Sequence, residues 1–332
     1  MGANVNTNID GPIGAGGVVP VRPAAGDAWL VTDFSSDNAF LNVLHTVPDV
    51  EVSLTDDATI GIIMINPALD PPIVITLVPA VPAKRTRQLK LYVTHDLYCT
   101  ITNTGAAGAN IGWSAERVNV NNVRSGVIRL DGGGLGVVQP PPGETWMITE
   151  WGSDIWTVAG NINPNTAIGL TDGAFINSRI AVPTMERGQE KQPNIIINNM
   201  VYLNIIGAAA GDFYFSAIRI PETAISSITD VLGAGLTPWV DIRPPDGEEW
   251  VITEIGAETW IGLAAPDDYP NIGMTLITTA GPLESDIIEV GVSEIWDRDS
   301  LLVIDRDHYL RITDLSGANN EICTSGYIKR AY

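Results

Sequence analysis

The sequence predicts an all-β chain of three tandem β-sandwich domains related by an internal repeat. Three observations carry this prediction. A turn-and-strand phrase is written three times: PAAGDAWLVTD at 23–33, PPPGETWMITE at 140–150 and PPDGEEWVITE at 244–254. A second phrase follows each copy, HDLYCTI at 95–101, NMVYLNI at 199–205 and DHYLRI at 307–312, and leads to a small pair, Ser114-Ala115, Ser216-Ala217 or Ser325-Gly326. Short β-branched runs such as Ile195-Ile196-Ile197 and Leu301–Ile304 lie between breakers, and 33 Gly with 22 Pro in 332 residues leave few stretches of helix length uninterrupted. The copies of each phrase stand roughly 100 residues apart, long enough for each unit to close its own core, so they read as domains and not as a solenoid.

Taken in order, residues 1–13 are Asn- and Gly-rich and are expected to form an arm that is unordered alone and orders against a neighbour. The first sandwich is expected over 14–120, with the polar stretch Asn119–Ser125 as a joint, the second over 121–221 and the third over 222–332. The stretch Glu222–Leu232 has mixed helix and strand character. Inside each unit the first phrase reads as strand, tight turn, strand. Proline ends the preceding strand because it cannot donate to a ladder, and Gly26, Gly143 and Gly247 supply φ > 0. The acid after each glycine is expected to face solvent. Trp29, Trp146 and Trp250 then enter the next strand pointing inward as core anchors. Tyr98, Tyr202 and Tyr309 of the second phrase are expected to pack inside with the hydroxyl at a rim. Short antiparallel strands in units of this size imply Greek-key or jelly-roll winding.

Composition narrows the function. The formal charge is −21, from 39 acidic and 18 basic residues. That balance argues against a grip on nucleic acid, which uses Lys and Arg to neutralise phosphates, and against docking on anionic lipid. It suits a self-repelling particle. The first residues lack a basic start and an apolar core, so synthesis in a cytoplasm without a secretory step is expected. Cys99 and Cys323 fall in different repeats at different offsets and are not expected to pair.

No chemical signature stands out. Of His45, His95 and His308, the latter two flank the repeated tyrosine and the second repeat has none, so they read as rim residues. Asp131-Gly132-Gly133-Gly134 lacks the lysine and following helix of a phosphate cradle. Asp33, Glu150 and Glu254 are equivalent, four residues after the repeated tryptophan. They read as edge residues that cap a strand through backbone hydrogen bonds; a calcium ligand is the functional alternative, and no cofactor is otherwise implied. Asp56-Asp57, Asp267-Asp268 and Asp297 with Asp299 are further calcium-loop candidates, but they lack EF-hand spacing. Trp113, Trp151, Trp156, Trp239, Trp260 and Trp296 are not repeated and read as core or inter-domain packing, with sugar stacking or protein contact as the alternative. The basic residues Lys84, Arg85, Arg87, Lys90, Arg187, Lys191, Lys329 and Arg330 read as solvated, or as partners for acidic patches on a neighbouring copy.

In its Pro-Pro-x-Gly-Glu-x-Trp-x-Ile-Thr-Glu phrase and its Asn/Gly-rich start the chain resembles jelly-roll virion structural proteins of tailed viruses: capsid-decoration, head-fibre and related capsid or tail proteins. The resemblance spans all three repeats and carries no catalytic residues. It implies a non-enzymatic, virion-located protein that assembles through sandwich faces with other virion proteins or with copies of itself. It leaves open a ring or a line of domains. The alternative class is a carbohydrate- or receptor-binding adhesin with a glycan partner.

Overall fold

The computed structural model describes residues 5–36, 50–56, 62–65, 87–103, 108–130, 135–153, 166–173, 178–181, 194–207, 211–225, 227–232, 239–259, 272–278, 285–289, 302–314 and 320–329. Every strand among them belongs to one of six four-stranded sheets.

The first eight strands are β1 (Val5–Ile13), β2 (Val18–Val21), β3 (Ala28–Ser36), β4 (Val50–Thr55), β5 (Ile62–Ile65), β6 (Arg87–Thr94), β7 (Tyr98–Asn103) and β8 (Ala109–Val118). They pair in the orders β1-β8-β3-β6 and β2-β7-β4-β5. The next eight are β9 (Gly126–Leu130), β10 (Leu135–Val138), β11 (Thr145–Ser153), β12 (Thr166–Thr171), β13 (Ser178–Ala181), β14 (Ile195–Ile197), β15 (Tyr202–Gly207) and β16 (Gly211–Ile220). The last are β17 (Ser227–Leu232), β18 (Trp239–Ile242), β19 (Glu249–Thr259), β20 (Ile272–Thr278), β21 (Ser285–Glu289), β22 (Leu302–Ile304), β23 (His308–Asp314) and β24 (Asn320–Lys329). Their orders, β9-β16-β11-β14 with β10-β15-β12-β13 and β17-β24-β19-β22 with β18-β23-β20-β21, repeat the first pattern strand for strand. First beside eighth beside third beside sixth, over second beside seventh beside fourth beside fifth, is the winding of a jelly roll. The chain is all-β, with three such windings in series.

Each core lies between paired sheets. In the second jelly roll Leu130, Ile148, Ile195 and Phe213 of one sheet meet Val138, Ile168, Leu203 and Ile205 of the other, all almost fully buried. In the first, Val31, Leu91, Ile111 and Ala115 meet Val19, Val21, Leu54 and Ile101. Alternate exposure along Val18–Val21 and Leu135–Val138 shows second strands with one face inward and one outward.

Two sequence expectations change. Residues 5–13, expected within an arm, form β1 and pair with β8 from Val5–Glu116 to Ile13–Ala109. Their polar letters hide a strand because pairing, not apolar alternation, defines it. The mixed stretch at 222–232 resolves into a bridge between Ala224 and Tyr327 followed by β17. The expected division at 221/222 falls between β16 and β17, and that at 120/121 falls between β8 and β9, inside a short 3-10 turn at Val120–Asn122 capped by the Asn119 side chain.

Candidate functional site: the joints between jelly rolls

The first repeated phrase is the connection from the second strand to the third. The amides of Asp27, Glu144 and Glu248 donate to the carbonyls of Ala24, Pro141 and Pro245, closing four-residue turns. Gly26, Gly143 and Gly247 occupy the third position at φ 85°, 83° and 82°, the left-handed conformation a type II turn demands there.

The acid that follows does not simply face water. The Glu144 side chain, 17% exposed, takes two hydrogen bonds from Arg124, at 2.8 and 2.9 Å, and one from the Trp146 indole at 2.7 Å. The Arg124 guanidinium, then the Trp146 indole, hold its carboxyl down at about 2. Glu248 accepts from Trp250 at 2.7 Å, and Asp27 pairs with Arg117. These bonds explain a second departure. Trp29, Trp146 and Trp250 are half-buried instead of enclosed, because in the second and third copies the indole N–H reaches back to the turn while the ring lies on the sheet. Trp29 and Trp146 pack against their cores, and Trp29 stacks on Trp113 at 5.4 Å.

The second phrase is the turn between the sixth and seventh strands. Thr94, Asn198 and Asp305 each donate their amide across it and use their side chain to accept from the far side, at Leu97, Val201 and His308. Burial lifts the Asp305 carboxyl, but the His308 and Asp307 amides and the His308 ring outweigh it and hold it below the ordinary range. Tyr98 and Tyr309 are buried and Tyr202 is half-buried. The residue before each turn's proline supplies a clamp that sequence comparison missed. Arg22, Gln139 and Arg243 donate to the carbonyls of His95, Asn199 and Arg306, which hold one place in the repeat, at 2.8, 2.9 and 2.7 Å. The two arginines also lie over the Tyr98 and Tyr309 rings. The signal was a long donor before proline, hidden by the change from Arg to Gln.

The third strand of every jelly roll is bulged at the threonine of its Trp-x-x-Thr phrase. Pairing slips between Val31 and Asp33, Ile148 and Glu150, and Ile252 and Glu254, so Thr32, Thr149 and Thr253 are the extra residues. Each hydroxyl lies within hydrogen-bond distance of the carbonyl of the repeated serine on the eighth strand: Ser114 at 3.3 Å, Ser216 at 3.2 Å and Ser325 at 3.1 Å.

In the second and third jelly rolls this bulge receives the sixth strand of the preceding one. Ser216 accepts from the Tyr92 amide at 2.7 Å, Thr149 donates to the Lys90 carbonyl at 2.8 Å, and Glu150 accepts from the Lys90 amide at 2.7 Å. One joint further on, Ser325 accepts from the Ile196 amide at 2.6 Å and donates to the Ile196 carbonyl at 2.9 Å. Ser216, Ser325 and Glu150 are fully buried. Glu150 thus caps a strand edge through a backbone hydrogen bond, but the edge belongs to the neighbouring jelly roll; the Asp33 and Glu254 side chains lie outside the described residues. Apolar packing adds to the first joint, where Tyr214 of β16 belongs to the same buried cluster as the core residues of the first jelly roll. β6 and β14 are outer strands, whose unpaired amides and carbonyls would be open templates for pairing. Thr149, Ser216 and Glu150 bond the Lys90 and Tyr92 groups of the first edge, and Ser325 bonds both backbone groups of Ile196 on the second.

Other sequence candidates fall elsewhere. His95 contacts the Pro23 carbonyl at 3.1 Å through Nδ1, a local structural role. Cys99 is a buried free thiol. Lys329 pairs with Glu249 at 3.1 Å. Among the described residues no group of three or more His, Cys, Asp or Glu side chains is placed to hold a metal ion. No helix among them is long and apolar enough to cross a membrane. His45, residues 131–134, Lys84, Arg85, Arg187, Lys191, Arg330, Asp57, Asp267, Asp268, Asp297, Asp299, Trp156, Trp260 and Trp296 lie outside the described residues.

No protein-family model matches the chain, and no curated protein matches it. A solved structure described as the triple jelly roll fold and turret assembly in an archaeal virus is similar at 10% sequence identity, with a TM-score of 0.25, over 98% of this chain and 88% of that one. A likeness of that size carries nothing further, and the fold rests on the strand order.

Proposed function

We propose that the chain is a non-enzymatic structural protein of a virus particle, a capsid-associated β-sandwich protein, decoration or building block, that assembles through protein–protein interfaces. One observation carries the reading: the polar side chains the repeat preserves, Thr149 with Ser216 and Thr253 with Ser325, are buried where one jelly roll meets the next. Chemistry reserved for joining like units suits a scaffold. The net charge of −21 suits a particle surface that repels its neighbours until specific edges meet. Mass spectrometry of purified particles, followed by cryo-microscopy, tests it. The proposal expects the protein at a stoichiometric copy number in intact particles. Recovery solely as free protein, with none in particles, overturns it.

The adhesin reading has one specific feature in its favour, the 44% exposed Trp239 on β18. Arg311, itself bonded to Asp241, sits 5.2 Å from the centre of that ring and takes one stacking face. A glycan array decides: saturable binding lost in Trp239→Ala would favour the adhesin.

A further inference from the structure

The joint is heterologous: the sixth strand of one unit meets the third and eighth strands of the next. Such an interface leaves an unused half at each end unless it closes into a ring. In this chain both halves are visible. At the front, β3 and β8 carry the same Thr/Ser pattern, with the bulge at Thr32 and the Thr32 hydroxyl on the Ser114 carbonyl. Yet Thr32 and Ser114 are only half-buried, whereas Thr149, Thr253, Ser216 and Ser325 are 2%, 3%, 0% and 0% exposed.

At the rear, β22 is the outer strand of its sheet among the described residues, paired there with β19 alone. Register identifies its equivalents. Tyr92 lies opposite Leu30, Ile196 opposite Met147 and Val303 opposite Val251, each one position after the repeated tryptophan. Tyr92 and Ile196, which enter joints, are 8% and 0% exposed, but Val303 is 46% exposed. Among the described residues no packing of β22 on β3 or β8 matches that of the two joints.

We propose that a second copy of this chain completes the site: its β22 edge docks on β3 and β8 of the first, with Ser114 Oγ accepting from the Val303 amide and covering the Val303 side chain. The partner is therefore the chain itself, added head to tail, and the product is an open series that continues the internal spacing. The contact is weaker than the first internal joint. Gly112 stands where Tyr214 stands in the second jelly roll, both two residues before the joint serine, so no aromatic side chain enters the neighbour's core. Association is therefore concentration-dependent. It also strengthens with salt, because chains of charge −21 repel and the Debye length falls from about 30 Å at 0.01 M to about 3 Å at 1 M.

This inference rests on reading the joint as an assembly interface, not on where the assembly resides. Particle proteomics tests the location, and the following experiment tests the contact. Full-length chain, Val303→Lys and Ser114→Lys are compared by sedimentation velocity across concentration at high salt, with thermal melts confirming that both variants fold. The wild type is expected to form a ladder of oligomers. Each variant alone keeps one good end and one blocked end and is expected to stay monomeric, with at least a tenfold loss of association. Mixed, the Ser114→Lys edge meets the Val303→Lys socket, and the product stops at the dimer. Ser114→Ala gives a milder loss in the same direction should the lysine prove disruptive. A wild type monomeric at every concentration, as closure of the chain on itself would give, overturns the proposal. So do oligomers indifferent to either substitution, or a mixture that forms no dimer.

Discussion

Replacing Ser216 by alanine isolates the joint from the fold around it. The serine is fully buried, accepts the Tyr92 amide at 2.7 Å and lies 3.3 Å from the Lys90 carbonyl. Alanine keeps the packing of β16 but leaves the Tyr92 N–H buried without an acceptor, a penalty of about 1–3 kcal/mol. With a urea dependence of roughly 2 kcal/mol per molar, the midpoint falls by about 0.5–1.5 M. Ser325→Ala removes the equivalent bond to the Ile196 amide and is expected to fall in the same range. Ser114→Ala is the internal control. It holds the same place in the repeat and is half-buried, so in dilute solution its effect stays within about 0.5 kcal/mol. Tryptophan fluorescence during urea unfolding of the three variants measures all of this. Equal losses at Ser114 and Ser216 would show that the serine serves its own jelly roll and refute the joint; so would a neutral Ser216→Ala.

Three further outcomes follow from the same geometry. Glu144 is held at about 2 in the folded chain, below its ordinary 4.5, so its contribution is complete above pH 4.5 and is lost as pH falls toward 2; Glu144→Gln should flatten the acid limb of a melting-temperature profile in that window and leave the profile above pH 6 with the same slope. Gly143→Ala meets no atom within 4 Å of the new methyl group, so its cost is that of a left-handed backbone, about 1–2 kcal/mol; Gly326→Ala drives the methyl into the Val251 carbonyl oxygen and should lower the melting temperature further. Tyr214→Ala empties an aromatic site in the first core and is expected to cost about 3–5 kcal/mol by analogy with phenylalanine truncation, with faster proteolysis between β8 and β9 as the first two units loosen.

Much of the fold was legible because its signals are local. A proline and a left-handed glycine spell the turn at 141–144 whatever surrounds it, and Ile195-Ile196-Ile197 spells a buried strand. The joint was not legible because its meaning is not local. Thr32 and Thr149 read alike, yet one is half-exposed and the other sealed by β6. Glu150 looked like any edge acid until a neighbouring amide lay against it. The half-burial of Trp146 escaped for a related reason, since the acid two residues earlier draws its indole to the rim. β1 was misjudged because strand identity at a sheet edge is conferred by its partner.

Hydrogen exchange at three amides tests the central claim most directly. Tyr92, Ile196 and Val303 hold one register position in three copies of one fold, and the claim is that the first two are covered by the next jelly roll while the third awaits another chain. In dilute solution Tyr92 and Ile196 should be protected and Val303 should exchange at least tenfold faster. On concentrating the chain, Val303 alone should slow toward the other two. Equal protection of all three in dilute solution, or a Val303 rate that ignores concentration, would contradict the account.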